Sequence, residues 1–113
     1  LGDVYKRQLK VCLIDNFSGL GFSYDPNSTS LFSQLSKWLG EQPANSLVVL
    51  IDEYDAPLTS CLNDRTLFNE VRGFLSEFYA LLKANDEAIR FLFITGITKF
   101  NKASIFSELN NLV

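Results

Sequence analysis

The chain has 113 residues, 47% of them hydrophobic and 20% charged, which suits one globular domain with one core and excludes a disordered or collagen-like polypeptide. A formal net charge of −3, with 10 basic against 13 acidic residues and no His, leaves no basic footprint for a nucleic-acid backbone and no imidazole for a zinc site. Cys12 and Cys61 form no CxxC pair, no apolar run reaches the roughly 20 residues that span a bilayer, and nothing resembles a signal peptide. These features predict two free thiols in a reducing compartment and a cytoplasmic protein without membrane or direct nucleic-acid contacts.

The chain opens on Leu1 and contains no Met, so it reads as a piece of a longer protein. Residues Asp3-Val4-Tyr5-Lys6-Arg7-Gln8 resemble the conceptual translation of a transposon end used in preparing sequencing libraries. Residues 1–8 are accordingly set aside, as an expression scar would be. From there Leu9-Lys10-Val11-Cys12-Leu13-Ile14-Asp15 is apolar and β-compatible, which predicts a first strand ending at Asp15. Asn16 to Ser30 is rich in Gly, Ser, Asn and Pro and predicts a loop. Its Gly19-Leu20-Gly21 lacks the third glycine of a dinucleotide-binding turn. Leu31, Phe32, Leu35, Trp38 and Leu39 share one helical face, with Ser30 to cap the start and Gly40 the end.

Leu47-Val48-Val49-Leu50-Ile51 is an unbroken apolar run of the kind found in strands buried on both faces, and it ends in Asp52-Glu53. A loop through Pro57 follows. A long helix is then predicted over Thr66 to Ala84, with Asp64 as N-cap, Asn85 near its end and a stripe of Leu67, Phe68, Val71, Phe74, Leu75, Phe78, Tyr79 and Leu82. Arg90 to Thr95 predicts another strand, Gly96 a turn, and Ser104 to Leu109 the start of a further helix.

Strand alternating with helix predicts an α/β fold with a parallel sheet of three strands joined by crossover helices. Right-handed crossovers between neighbouring strands place the intervening helices on one face and leave the other without cover. The carboxyl ends of parallel strands align, so Asp15, Asp52 with Glu53, and Thr95 are expected at one edge, where ligands of open α/β sheets bind. Acids there suit a magnesium ligand and a water-orienting base, and a nearby hydroxyl suits phosphate. Thr98 and Lys99 follow directly, and the Lys99 ammonium could pair with a phosphate or neutralise Asp52. Asp55 is expected to shape the turn before Pro57. Arg65, Arg72 and Arg90 would act as arginine fingers only in an oligomer.

The run Leu47 to Glu53 resembles a Walker B strand. Extended to Leu58, and combined with Phe93-Ile94-Thr95-Gly96-Ile97-Thr98-Lys99-Phe100 and Ser104-Ile105-Phe106-Ser107-Glu108-Leu109-Asn110-Asn111-Leu112, it resembles the bacterial AAA-ATPase-like family, P-loop proteins that often carry a downstream PD-(D/E)xK nuclease-like domain. The resemblance covers nearly all of residues 9–113. It implies an incomplete three-layer P-loop NTPase-like sheet, ATP and Mg²⁺ as ligands of the parent protein, Asp52 as the metal residue, Glu53 as the catalytic acid and Thr95 as the polar sensor, with Thr98 as its alternative. No stretch of the 113 residues reads G-x-x-x-x-G-K-[ST], the loop whose amides and lysine cradle the β and γ phosphates. The expectation is an ATPase as full-length protein and an inactive piece here that self-associates through its open face. Two other readings share parts of the pattern. One is a degenerate NTPase-like interaction module; the other is a receiver-like domain, which wants an acidic pair where Asp15 is followed by Asn16.

Overall fold

The structure, a computed structural model, describes residues 2–54 and 56–96. Five elements precede the last strand: α1 (Gly2–Ser18), α2 (Leu31–Gly40), β1 (Leu47–Ile51), α3 (Ala56–Thr59) and α4 (Arg65–Ala84). A single 3₁₀ turn at Asp86–Ala88 then leads into β2 (Ile89–Ile94).

The first strand expected from sequence is a helix. Residues 9–15 lie in the middle of α1, whose inward face carries Tyr5, Leu9, Leu13 and Phe17 at helical spacing and packs them on the core. Val11 and Cys12 point outward. The β-compatible run is therefore split between two faces of a helix, and four-residue periodicity outweighs local β propensity. The Tyr5 hydroxyl donates to the Pro57 carbonyl at 3.3 Å, joining α1 to α3.

Gly19 and Gly21 close that helix rather than a nucleotide loop. Phe22 N–H donates to Phe17 O at 3.2 Å and Gly21 N–H to Ser18 O at 3.1 Å, the paired bonds of a Schellman cap. Gly21 takes the left-handed position, φ 106°. Phe17 and Phe22 are both buried and both meet the Trp38 ring edge-on, at 5.9 and 6.0 Å between centroids.

α2 and α4 form where their N-caps and stripes predict, whereas Gly40 is the last residue of α2 and Glu41, not Gly40, is its C-cap. Ser33 N–H donates to Ser30 Oγ at 3.2 Å and Leu67 N–H to Asp64 Oδ1 at 3.1 Å, each satisfying an amide that the first helical turn leaves open. Leu31, Leu35 and Leu39 of α2 pack with Val71, Phe74, Leu75, Phe78, Tyr79 and Leu82 of α4 in one cluster. The predicted loop after β1 holds one helical turn, α3. Pro57 sits inside its first turn, where a fixed φ and a missing N–H cost nothing, and Leu58 beside it is wholly buried.

Cys61 follows α3. Sequence places it in a polar loop, whereas the structure buries it, with its thiol donating to the Pro57 carbonyl at 3.2 Å. Burial, with a smaller contribution from the Asp64 charge, raises its pKa and keeps it a neutral thiol. Both cysteines are free, Cys12 on the surface.

β1 and β2 pair in parallel, with Val48 opposite Phe91, Val49 opposite Leu92, Leu50 opposite Phe93 and Ile51 opposite Ile94. A bulge between Leu47 and Val48 leaves Arg90 as the extra residue on β2. Leu47, Val49, Ile51, Leu92 and Ile94 turn toward the helices. Val48, Leu50, Phe91 and Phe93 turn away, 55, 69, 53 and 52% exposed, so one face of the sheet has no cover among the described residues. The parallel sheet expected from sequence thus has two strands there, not three, and the helices cover one side of it. The predicted helix from Ser104 lies outside the described residues.

Leu35 and Leu82 have no accessible surface and mark the centre of the core. Truncating either to Ala removes packed methyl groups and leaves a cavity, an expected loss of about 2–5 kcal/mol. Urea unfolding of the two variants checks this, and a shift under about 1 kcal/mol places the core elsewhere.

Candidate active site

Because Ile51 and Ile94 are the last paired residues, Asp52 and Thr95 leave the sheet side by side at its carboxyl edge. The bulge at Arg90 sets this partnership. Without it the register that starts at Leu47 and Ile89 would set Asp52 against Ile94 and turn the faces of β2 over.

Thr95 then grips the turn after β1 through four hydrogen bonds. Its N–H donates to Ile51 O at 2.8 Å, and its carbonyl accepts from Tyr54 N–H at 2.9 Å. Its hydroxyl donates to Asp52 Oδ1 at 2.5 Å. The Thr95 hydroxyl oxygen in turn accepts from Glu53 N–H at 3.2 Å. Glu53 stands at φ 52°, left-handed backbone that costs a side-chain-bearing residue about 1–2 kcal/mol. Its carbonyl accepts from Ala56 N–H at 3.0 Å and so starts α3.

Tyr54 is buried beneath this turn and fixes which way it faces. With Tyr54 inside, the Asp52 and Glu53 carboxylates are left outside. They line one wall of a cleft of about 300 Å³ whose other walls include Leu13 and Phe17 of α1 and Phe78 of α4. An apolar hollow with two acids on its rim can order a cation, a water and a polar ligand together.

Of the sequence-derived candidates, the structure brings together Asp52, Glu53 and Thr95. It removes Asp15 from the group, since that residue lies on α1 with its carbonyl accepting from the Ser18 hydroxyl. Three converging strand ends become two. Arg90 lies at the far end of β2 from Thr95, and Arg65 opens α4 on the surface. Asp55, Thr98 and Lys99 lie outside the described residues. Tyr54 is not among the sequence-derived site residues, although an aromatic directly after two acids is the signal of a turn anchored from below. No group of three or more His, Cys, Asp or Glu that could hold a metal occurs among the described residues. No described helix is long and apolar enough to cross a membrane.

A family model described as "AAA-ATPase_like: Predicted AAA-ATPase" matches residues 4–106, a range that begins inside the adapter-like stretch. An "Uncharacterized protein in vnfD 5'region" of Azotobacter chroococcum mcd 1 is 37% identical over 81 residues, covering 72% of this chain. The chain spans 16% of the length of that relative. No solved structure matches.

Proposed function

The chain belongs to the predicted AAA-ATPase-like family, and from that premise we propose that the full-length protein binds and hydrolyses ATP with Mg²⁺, using the edge built by Asp52, Glu53 and Thr95. The observation that carries this reading is the single hydrogen-bonded turn in which Thr95 joins both acids. Family membership supports a nucleotide as the ligand, and the turn supports this edge as the place where it would be hydrolysed.

The donor set suits the ion. Mg²⁺ keeps several waters and is held by one or two carboxylates together with substrate phosphates, so a pair of hard oxygen donors without a closed cage is what it needs. Asp52 Oδ1 takes the Thr95 hydroxyl, which leaves Oδ2 to face the ion or its water shell. When bound, the cation would neutralise charge on the phosphates. Glu53, exposed beside it, would accept a hydrogen bond from the attacking water and aim or deprotonate it. Thr98 and Lys99 would contribute a hydroxyl and an ammonium toward phosphate.

The 113 residues contain no G-x-x-x-x-G-K-[ST] sequence, so the amides and lysine that supply most phosphate affinity must come from elsewhere in the longer protein. In a calorimetric titration this chain alone is expected to bind ATP more weakly than about 100 μM, where the full-length protein binds and turns it over. Micromolar affinity of the isolated chain, or a full-length protein without ATPase activity, overturns the proposal.

A further inference from the structure

We infer that Thr95 is a positioning residue: its hydroxyl holds Asp52 and Glu53 in the shape they need and is not the group that reads phosphate. A threonine hydroxyl has one proton to give and two lone pairs. Here the proton goes to Asp52 Oδ1 and one lone pair takes Glu53 N–H. What remains is a single acceptor site, which an anionic phosphate oxygen repels. To touch phosphate, the hydroxyl would have to surrender its bond to the Asp52 carboxylate.

The same contacts explain why the turn needs it. Glu53 occupies left-handed backbone that its side chain disfavours, and its amide has left the sheet ladder. The main-chain bonds of Thr95 to Ile51 and Tyr54 hold the two ends of the turn, and its hydroxyl holds the middle. Those main-chain bonds survive any replacement of the side chain. Thr95→Val therefore deletes the two hydroxyl bonds and little else, because valine keeps the branched shape. Thr95→Ser keeps the hydroxyl and drops only a methyl group.

For catalysis the inference rests on the proposed ATPase reading, whereas the clamp itself is independent of it, and two measurements separate them. The first is amide hydrogen exchange by NMR on the 113-residue chain without nucleotide. Exchange at Glu53 is expected to be about ten-fold faster in Thr95→Val and within about two-fold of wild type in Thr95→Ser, with Tyr54 and Thr95 amides unchanged. A phosphate-reading residue has no work to do without nucleotide, so an unaltered Glu53 amide in Thr95→Val overturns the inference. Should valine disturb the strand amides of Val49 and Leu92, Thr95→Ala, which adds no bulk, gives the same reading.

The second is steady-state ATP hydrolysis by the full-length protein. Thr95→Val is expected to lower kcat by about ten- to a hundred-fold with the KM for ATP within about two-fold of wild type, and Thr95→Ser to restore kcat. A raised KM at unchanged kcat is the pattern of a lost phosphate contact and overturns the inference. A wild-type protein that hydrolyses no ATP overturns the proposed function instead, and the exchange result then decides the clamp.

Discussion

Glu53→Gln in the full-length protein is expected to lower kcat for ATP hydrolysis by about 10²–10⁴-fold, the span that a positioned acid–base group contributes, while nucleotide still binds. The substitution isolates chemistry because it leaves the turn alone. Glu53 meets Thr95 through its backbone N–H, which glutamine retains, and its exposed carboxylate makes no hydrogen bond or ion pair among the described residues. Gln has the length of Glu and still orients a water, but it cannot take a proton. Asp52→Asn is the partner experiment. Its amide oxygen can still accept the Thr95 hydroxyl, so the turn stays closed while the charge that favours a divalent cation is lost; its expected signature is a steeper Mg²⁺ requirement. Single-turnover hydrolysis with a parallel nucleotide-binding measurement checks both variants. Unchanged kcat in Glu53→Gln would assign water activation to another residue and leave Glu53 a structural acid.

The acidic pair was legible in the sequence because its signal is local: an apolar run with no polar interruption reads as a strand and ends in two carboxylates. The same locality made α2 and α4 legible, since Ser30 and Asp64 cap within three residues of themselves and the apolar stripes repeat every three to four positions. α1 looks like a strand in sequence for a related reason. From residue 9 onward only Leu9, Leu13 and Phe17 remain of the four-point stripe that Tyr5 begins. The window that remained, with Val11, Cys12 and Ile14 in it, matches a strand better than a helix. The hydroxyl clamp could not be read at all. It joins residues 43 positions apart, and their alignment depends on one extra residue at Arg90, which no periodicity in the sequence announces. The helices α2 and α4 and the parallel strands β1 and β2 therefore follow from pattern, but the arrangement of the site follows from register.

That register also lays out the second large effect, on association. In sedimentation velocity the wild-type chain is expected to self-associate at tens to hundreds of micromolar, and the double variant Leu50→Lys with Phe93→Glu to run as a monomer. Val48, Leu50, Phe91 and Phe93 form one apolar strip on the open face, with the two phenyl rings stacked at 6.2 Å. Fully burying such a side chain is worth about 1.5–3 kcal/mol, and these four are already near half covered, so the strip offers roughly 3–6 kcal/mol to each copy. Association itself costs about 4–15 kcal/mol, which makes the face alone a weak adhesive. Strand edges left open among the described residues add backbone donors and acceptors that a second copy can pair with, and together the two contributions reach measurable association. Leu50 and Phe93 are the pair to change because they stand directly opposite each other. A lysine facing a glutamate across the strands keeps the sheet paired while making its outer face costly to bury. A wild-type chain that stays monomeric through this concentration range would mean that the strip is too small to drive contact without the rest of the longer protein.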